Sequence, residues 1–201
     1  MTASGDWPVD LRGVTESVVA TLGPNDRWNQ AALGLHAPDD PADPVTATTW
    51  GRTRTRGNFE RRGGGVVQFT TDPREFVDAA LDVTETADPV RPGAAAWVEV
   101  TVTRLDEGVE DGTEWVQWKL SPGDPTIRSR TVPTINRGFY AVVDATVAAS
   151  RLDVPAYDTD RLLDRLAYFA ETVERCGGTG DREAFARIDD LVGWRERWND
   201  P

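Results

Sequence analysis

Apolar and polar residues alternate with two periods along this chain, and the period changes near residue 135. Before that point, short runs rich in β-branched residues repeat between turn signals, which is the pattern of strands. Ser17 to Leu22 and Trp28 to Leu35 flank Gly23-Pro24-Asn25-Asp26, and so predict a hairpin. Val45 to Trp50 predicts a third strand, after a proline-rich loop from Pro38 to Pro44. Val66 to Thr70 predicts a short buried strand. Asp72-Pro73 then opens a helix to about Leu81, with aspartate as cap and proline in the first helical position. Ala95 to Arg104 and Thr113 to Leu120 alternate around an acidic, glycine-containing turn and predict a long antiparallel pair. The first 15 residues read as a loose arm.

From residue 135 onward, apolar residues recur at helical spacing. Ile135, Phe139, Val142, Val143 and Val147 form one stripe. Leu162, Leu163, Leu166, Phe169, Ala170 and Val173 form a second, and Phe185, Ile188, Leu191 and Val192 a third. Strands first and helices last predict an α+β architecture.

Charge sharpens this picture. Acids outnumber bases 34 to 22, the net charge is −12, and Lys119 is the only lysine. Such a surface resembles that of proteins from salt-loving archaea, with an ordinary acidic protein from a GC-rich genome as the alternative, and either way it argues against general nucleic-acid binding. Within it, Arg52 to Arg62 holds five arginines and one glutamate in eleven residues. Guanidinium groups match phosphate oxygens through paired hydrogen bonds, so this segment reads as a phosphate-binding turn, with a solvated basic loop as the bland alternative. Thr53, Thr55 and Asn58 add neutral donors. No apolar run reaches the ~18 residues of a membrane span. Met1 to Trp7 lacks a basic-then-apolar export pattern, so a cytoplasmic protein is expected.

The usual catalytic side chains are scarce. His36 is the only histidine, which excludes a histidine metal cluster, and no metal site is expected. Cys176 is the only cysteine and sits at an expected helix C-terminus, where the helix dipole disfavours thiolate. No dinucleotide fingerprint or P-loop occurs. If the chain is an enzyme, a cofactor carries the chemistry.

The order of motifs resembles the flavin reductase-like FMN-binding split barrels. A strand ending at Thr21, a turn, and Trp28-Asn29-Gln30-Ala31-Ala32-Leu33-Gly34 resemble that superfamily's opening. Ala32 stands where proline is usual. Thr53-Arg54-Thr55-Arg56-Gly57-Asn58 is similar to its Thr-x-x-Asn element beside the flavin phosphate, with Arg56 at a commonly aromatic position. Thr71-Asp72-Pro73-Arg74-Glu75-Phe76, Asn136-Arg137 through Ala149-Ser150-Arg151-Leu152, and Gly177-Gly178 resemble an archaeal family of unknown function within it.

The resemblance implies a six-stranded antiparallel split β-barrel over residues 1–133, with helices over 134–201 packed on the barrel and dimer. It also implies a homodimer with FMN at the interface, held by Thr21, Asn29, Gln30, Ala31, Thr53, Arg54, Thr55 and Asn58. A flavin-dependent oxidoreductase is then expected, with reduced nicotinamide as one donor. Two alternatives stand beside it, a flavin or small-ligand module without turnover and a dimeric barrel that has lost its cofactor. Five arginines argue against the last, since an empty site has no use for them.

Overall fold

The computed structural model describes residues 7–40, 42–131 and 135–199. Residues cluster into two compact units, residues 1–71 with 83–130, and residues 72–82 with 131–201. The boundary expected between residues 133 and 134 lies outside the described residues.

The first unit is a closed antiparallel barrel. Its strands are β1 (Val14–Leu22), β2 (Trp28–His36), β3 (Val45–Trp50), β4 (Gly64–Thr70), β6 (Ala94–Glu110) and β7 (Thr113–Ile127). Neighbours run β1-β4-β6-β7-β3-β2, and β1 pairs with β2 to close the ring. Strand β5 (Thr84–Thr86) adds a seventh strand outside β2. Each of the six ring strands thus has a neighbour on both sides, although β2 and β3 meet only at the pair His36–Thr46. Alternate residues point inward, and Val19, Leu33, Leu35, Ala47, Val67, Val98, Val116 and Trp118 share one core. The arm is not loose throughout: Leu11 is buried in this core, with Trp7 and Val9 packed against it.

β7 runs on past Leu120 alongside Ala96–Thr101, and at the other end of the pair β6 runs on past Arg104, where the alternation of apolar residues stops. Ladder hydrogen bonds need no apolar side chains, so pairing continues through polar sequence to a tight turn. Asp111 (φ 48°) and Gly112 (φ 78°) supply the two left-handed positions of that turn.

The second unit holds α2 (Pro73–Leu81), α3 (Arg137–Ala149), α4 (Thr159–Cys176), α5 (Thr179–Val192) and a short α6 (Trp194–Asn199). Asp72 caps α2 as expected, by accepting from the Arg74 N–H. Its core gathers Val77, Leu162, Leu163, Leu166, Val173, Phe185, Ile188 and Trp194. On α3 the expected stripe is displaced. Ile135 is 94 % exposed, and the buried face is Ala141, Val142, Ala145, Ala148 and Ala149. Small residues let α4 approach closely, so alanines rather than valines mark this face. No helix among the described residues is long and apolar enough to cross a membrane.

Candidate functional site

The arginine segment is a helix, not a turn. Helix α1 spans Arg54–Arg62. Thr53 caps it, its hydroxyl accepting from the Arg56 N–H at 3.2 Å. Gly63 ends it at φ 67°, donating its N–H to the Phe59 carbonyl. Phe59 is the one large apolar residue of the helix. It is 1 % exposed and meets Trp118 edge to face at 5.3 Å inside the barrel core. That anchor sets which face of α1 turns outward.

Arg54, Asn58 and Arg61, spaced i, i+4 and i+7, line one cavity of about 380 Å³. Gly23, Pro24 and Asn25 of the β1–β2 turn, Asn29 and Glu85 complete its wall. Asn58 is 1 % exposed and has both sides of its amide in use. Its Nδ2 donates to Thr21 Oγ1 at 2.9 Å and to the Thr21 carbonyl at 3.3 Å. Its Oδ1 accepts from the Arg61 guanidinium. Asn29 faces Thr21 across the β1–β2 ladder and is 6 % exposed. Among the described residues its side chain has no hydrogen-bond partner, and it lines the cavity.

The electrostatics differ from a simple basic patch. Arg52 and Arg56 hold Glu114 at 3.2 and 2.9 Å, and Arg56 also meets Glu60 at 3.3 Å. Arg54 holds Glu85 at 2.8 Å, and Arg62 lies 3.8 Å from Asp26. Among the described residues only Arg61 of these five has no carboxylate partner. Four partners within the chain therefore account for four arginines, and the number of arginines alone no longer argues for a bound anion. Glu114 is pulled below the ordinary carboxylate value of 4.5, first by the Arg52 hydrogen bond and then by that from Arg56.

A second, mostly apolar groove of about 450 Å³ is lined by neighbours of the same elements: Leu22, Trp28, Arg62, Gly65, Val100 and Pro122 among them. A Cβ on Gly65 would sit 2.6 Å from the Ala20 carbonyl oxygen, so strand packing already requires glycine there.

Of the residues expected at the site, Asn29, Arg54 and Asn58 line the cavity, and Thr21 stands behind Asn58. Thr53 acts as the cap, and Thr55 is buried on the helix. Ala31 packs toward the barrel core. Gln30 points elsewhere. Its Nε2 donates to Thr86 Oγ1 at 2.9 Å and the Pro89 carbonyl at 3.0 Å, and its Oε1 accepts from Gln68 at 3.0 Å. That amide is fully engaged within the barrel. Arg61, Asn25 and Glu85 were not anticipated. For Arg61 the signal was available, since it stands one helical face from Arg54, seven residues on. Cys176 ends α4 with Gly177 as its cap, and among the described residues no group of three metal-ligating side chains occurs.

The chain superposes on an FMN-bound protein from Methanosarcina mazei with a TM-score of 0.76 and 20 % identity, over 90 % of this chain and 96 % of that one. It is also similar to the styrene monooxygenase flavin reductase of Pseudomonas putida S12, with a TM-score of 0.40 and 14 % identity over 60 % and 93 % of the two chains. A flavin reductase complexed with NADP+ gives 0.39 and 12 % over 59 % and 81 %. No curated protein matches the chain. The first superposition establishes the fold as a split barrel with C-terminal helices. Residues 15–129 match the model of the N-terminal domain of a protein family of unknown function, DUF447, and residues 136–190 match the model of its following domain. The chain belongs to the DUF447 family.

Proposed function

We propose that the chain binds FMN, with the phosphate held in the cavity beside α1. The observation that carries this reading is the pairing of Arg61, a cation without a carboxylate, with Asn29, whose amide opens on the cavity with no protein partner among the described residues, on one cavity wall. Arg61 supplies charge, Asn29 and the turn at Gly23 to Asn25 supply short-range polar contacts, and Arg54 contributes as far as Glu85 releases it. The FMN-bound relative of the same fold supports this choice of ligand. The apolar groove at Trp28, Val100 and Pro122 suits a flat ring system. Bound FMN would supply the electron-accepting ring. The chain's own residues bind and orient it, and a homodimer would shield it from water.

Within this reading the chain acts as a flavin-dependent oxidoreductase that takes electrons from a reduced nicotinamide. The second reading is a flavin-binding module without turnover. It is favoured by one fact: among the described residues Glu85 is the only carboxylate lining the cavity, and it is ion-paired to Arg54.

Arg61→Ala is expected to weaken FMN binding about tenfold or more, because a charge-assisted contact contributes about 1.5–3 kcal/mol. Riboflavin, which lacks the phosphate, is expected to lose little. Fluorescence titration of both flavins checks this, and equal losses would contradict the phosphate assignment. Anaerobic addition of NADPH to the flavin-loaded protein separates the two readings: bleaching of the flavin absorbance marks an oxidoreductase, and an unchanged spectrum marks a carrier.

A further inference from the structure

A second cavity, in the helical unit, carries an independent inference. It measures about 360 Å³ and is lined by Arg151, Ala156, Tyr157, Asp158, Arg161, Leu162 and Arg165. Elsewhere in this acidic chain most arginines sit within salt-bridge distance of a carboxylate, as Arg74, Arg187, Arg195 and Arg197 do in the same unit. Among the described residues, Arg151, Arg161 and Arg165 have no such partner. Arg161 and Arg165 are four apart on α4, a like-charge spacing that destabilises a helix unless an anion joins it.

The cavity is an open one: Ala156, Tyr157, Asp158, Arg161 and Arg165 are exposed, and Leu162 is buried. Leu152 is buried, and the turns from Arg151 to Val154 and from Val154 to Tyr157 close with backbone hydrogen bonds of 3.1 and 3.0 Å. Arg151 lies over the Tyr157 ring, 4.8 Å from its centroid, a cation–π contact. Among the described residues Asp158 is the one acid of the wall. Its carboxylate accepts the Arg161 backbone N–H at 3.1 Å as the cap of α4. Three guanidiniums against one carboxylate leave a surplus of two positive charges, at the positive end of an 18-residue helix.

We propose that this cavity binds a phosphorylated small molecule as its dianion. Guanidinium forks match phosphate oxygens in pairs, and Ala156, Leu162 and the Tyr157 ring offer an apolar wall for the group that the phosphate esterifies. The volume suits a metabolite rather than a macromolecular surface. None of this rests on the flavin reading.

The test uses the full chain carrying Arg54→Gln and Arg61→Gln, so that the α1 cavity is silenced. Inorganic pyrophosphate is titrated calorimetrically. The expected result is saturable one-to-one binding that falls about tenfold or more when Arg161→Gln and Arg165→Gln are added. Arg151→Gln alone, in the same background, is expected to weaken it as well, and it reads the site should the fourfold variant fail to fold. Citrate is expected to bind at least tenfold more weakly than pyrophosphate, because its carboxylates are spread over a flexible frame. Absence of saturable binding, binding indifferent to all three arginines, or equal affinity for citrate would each overturn the proposal.

Discussion

Glu114 shows how this chain handles its arginines. It accepts from Arg52 and Arg56 together, and those contacts hold its carboxyl below the ordinary value. A carboxyl whose value is lower in the folded than in the unfolded chain contributes stability above the unfolded value. That contribution is lost as pH falls through the folded one. Glu114→Gln should therefore melt at a lower temperature than the parent at pH 7. The gap should close as pH drops below the ordinary 4.5 and through the depressed folded value. Thermal melts of both chains from pH 7 to pH 3 check this, and a gap that stays constant with pH would refute it. The residue scale is also where sequence reading reached furthest and then stopped. Thr53, Asn58 and Arg54 could be picked out because threonine, asparagine and arginine crowd one short segment. Which arginine stays free could not be read, because Glu85 and Glu114 reach the segment through strand pairing from far along the chain.

Helix α1 depends on one side chain. Of its nine residues only Phe59 carries a large apolar group, and that ring fills the barrel beside Trp118. Burying an aromatic ring and then deleting it costs about 3–5 kcal/mol, so Phe59→Ala should lower the melting temperature by many degrees. It should also loosen Asn58 and Arg61, and FMN affinity should fall even where the barrel remains folded. A variant with native stability and native affinity would show that α1 is held by other means. The composition of α1 explains why it reads as a turn in sequence: Gly57 and the charged residues around it give no apolar period, and the helix is specified by its caps and a single anchor. The six barrel strands were legible from apolar runs between turn signals, α4 and α5 from helical apolar stripes, and α2 from its Asp72-Pro73 start. The far ends of β6 and β7 were not, since ladder pairing there runs through polar residues that carry no signature of a buried face.

At the level of the whole molecule, α2 is the unexpected part. It lies between β4 and β5 in sequence, yet it shares a core with α3, α4 and α5 through Val77. A fragment of residues 131–201 should therefore lack part of its core. Its circular dichroism is expected to show helix but no cooperative melt, and supplying residues 72–82 at the fragment's N-terminus through a flexible linker should restore one. A cooperative melt of the bare fragment would overturn this assignment. The same interleaving has a consequence on the ribosome. Helix α2 is complete about fifty-five residues before α3 begins. At roughly 5–20 residues per second, that is several seconds in which Val77 has emerged but its core partners on α3, α4 and α5 have not. The barrel strands that follow are made during that interval. Nascent chains of this protein therefore present a greasy helix early and bury it late, which makes α2 the segment where a chaperone would find its longest opportunity to bind.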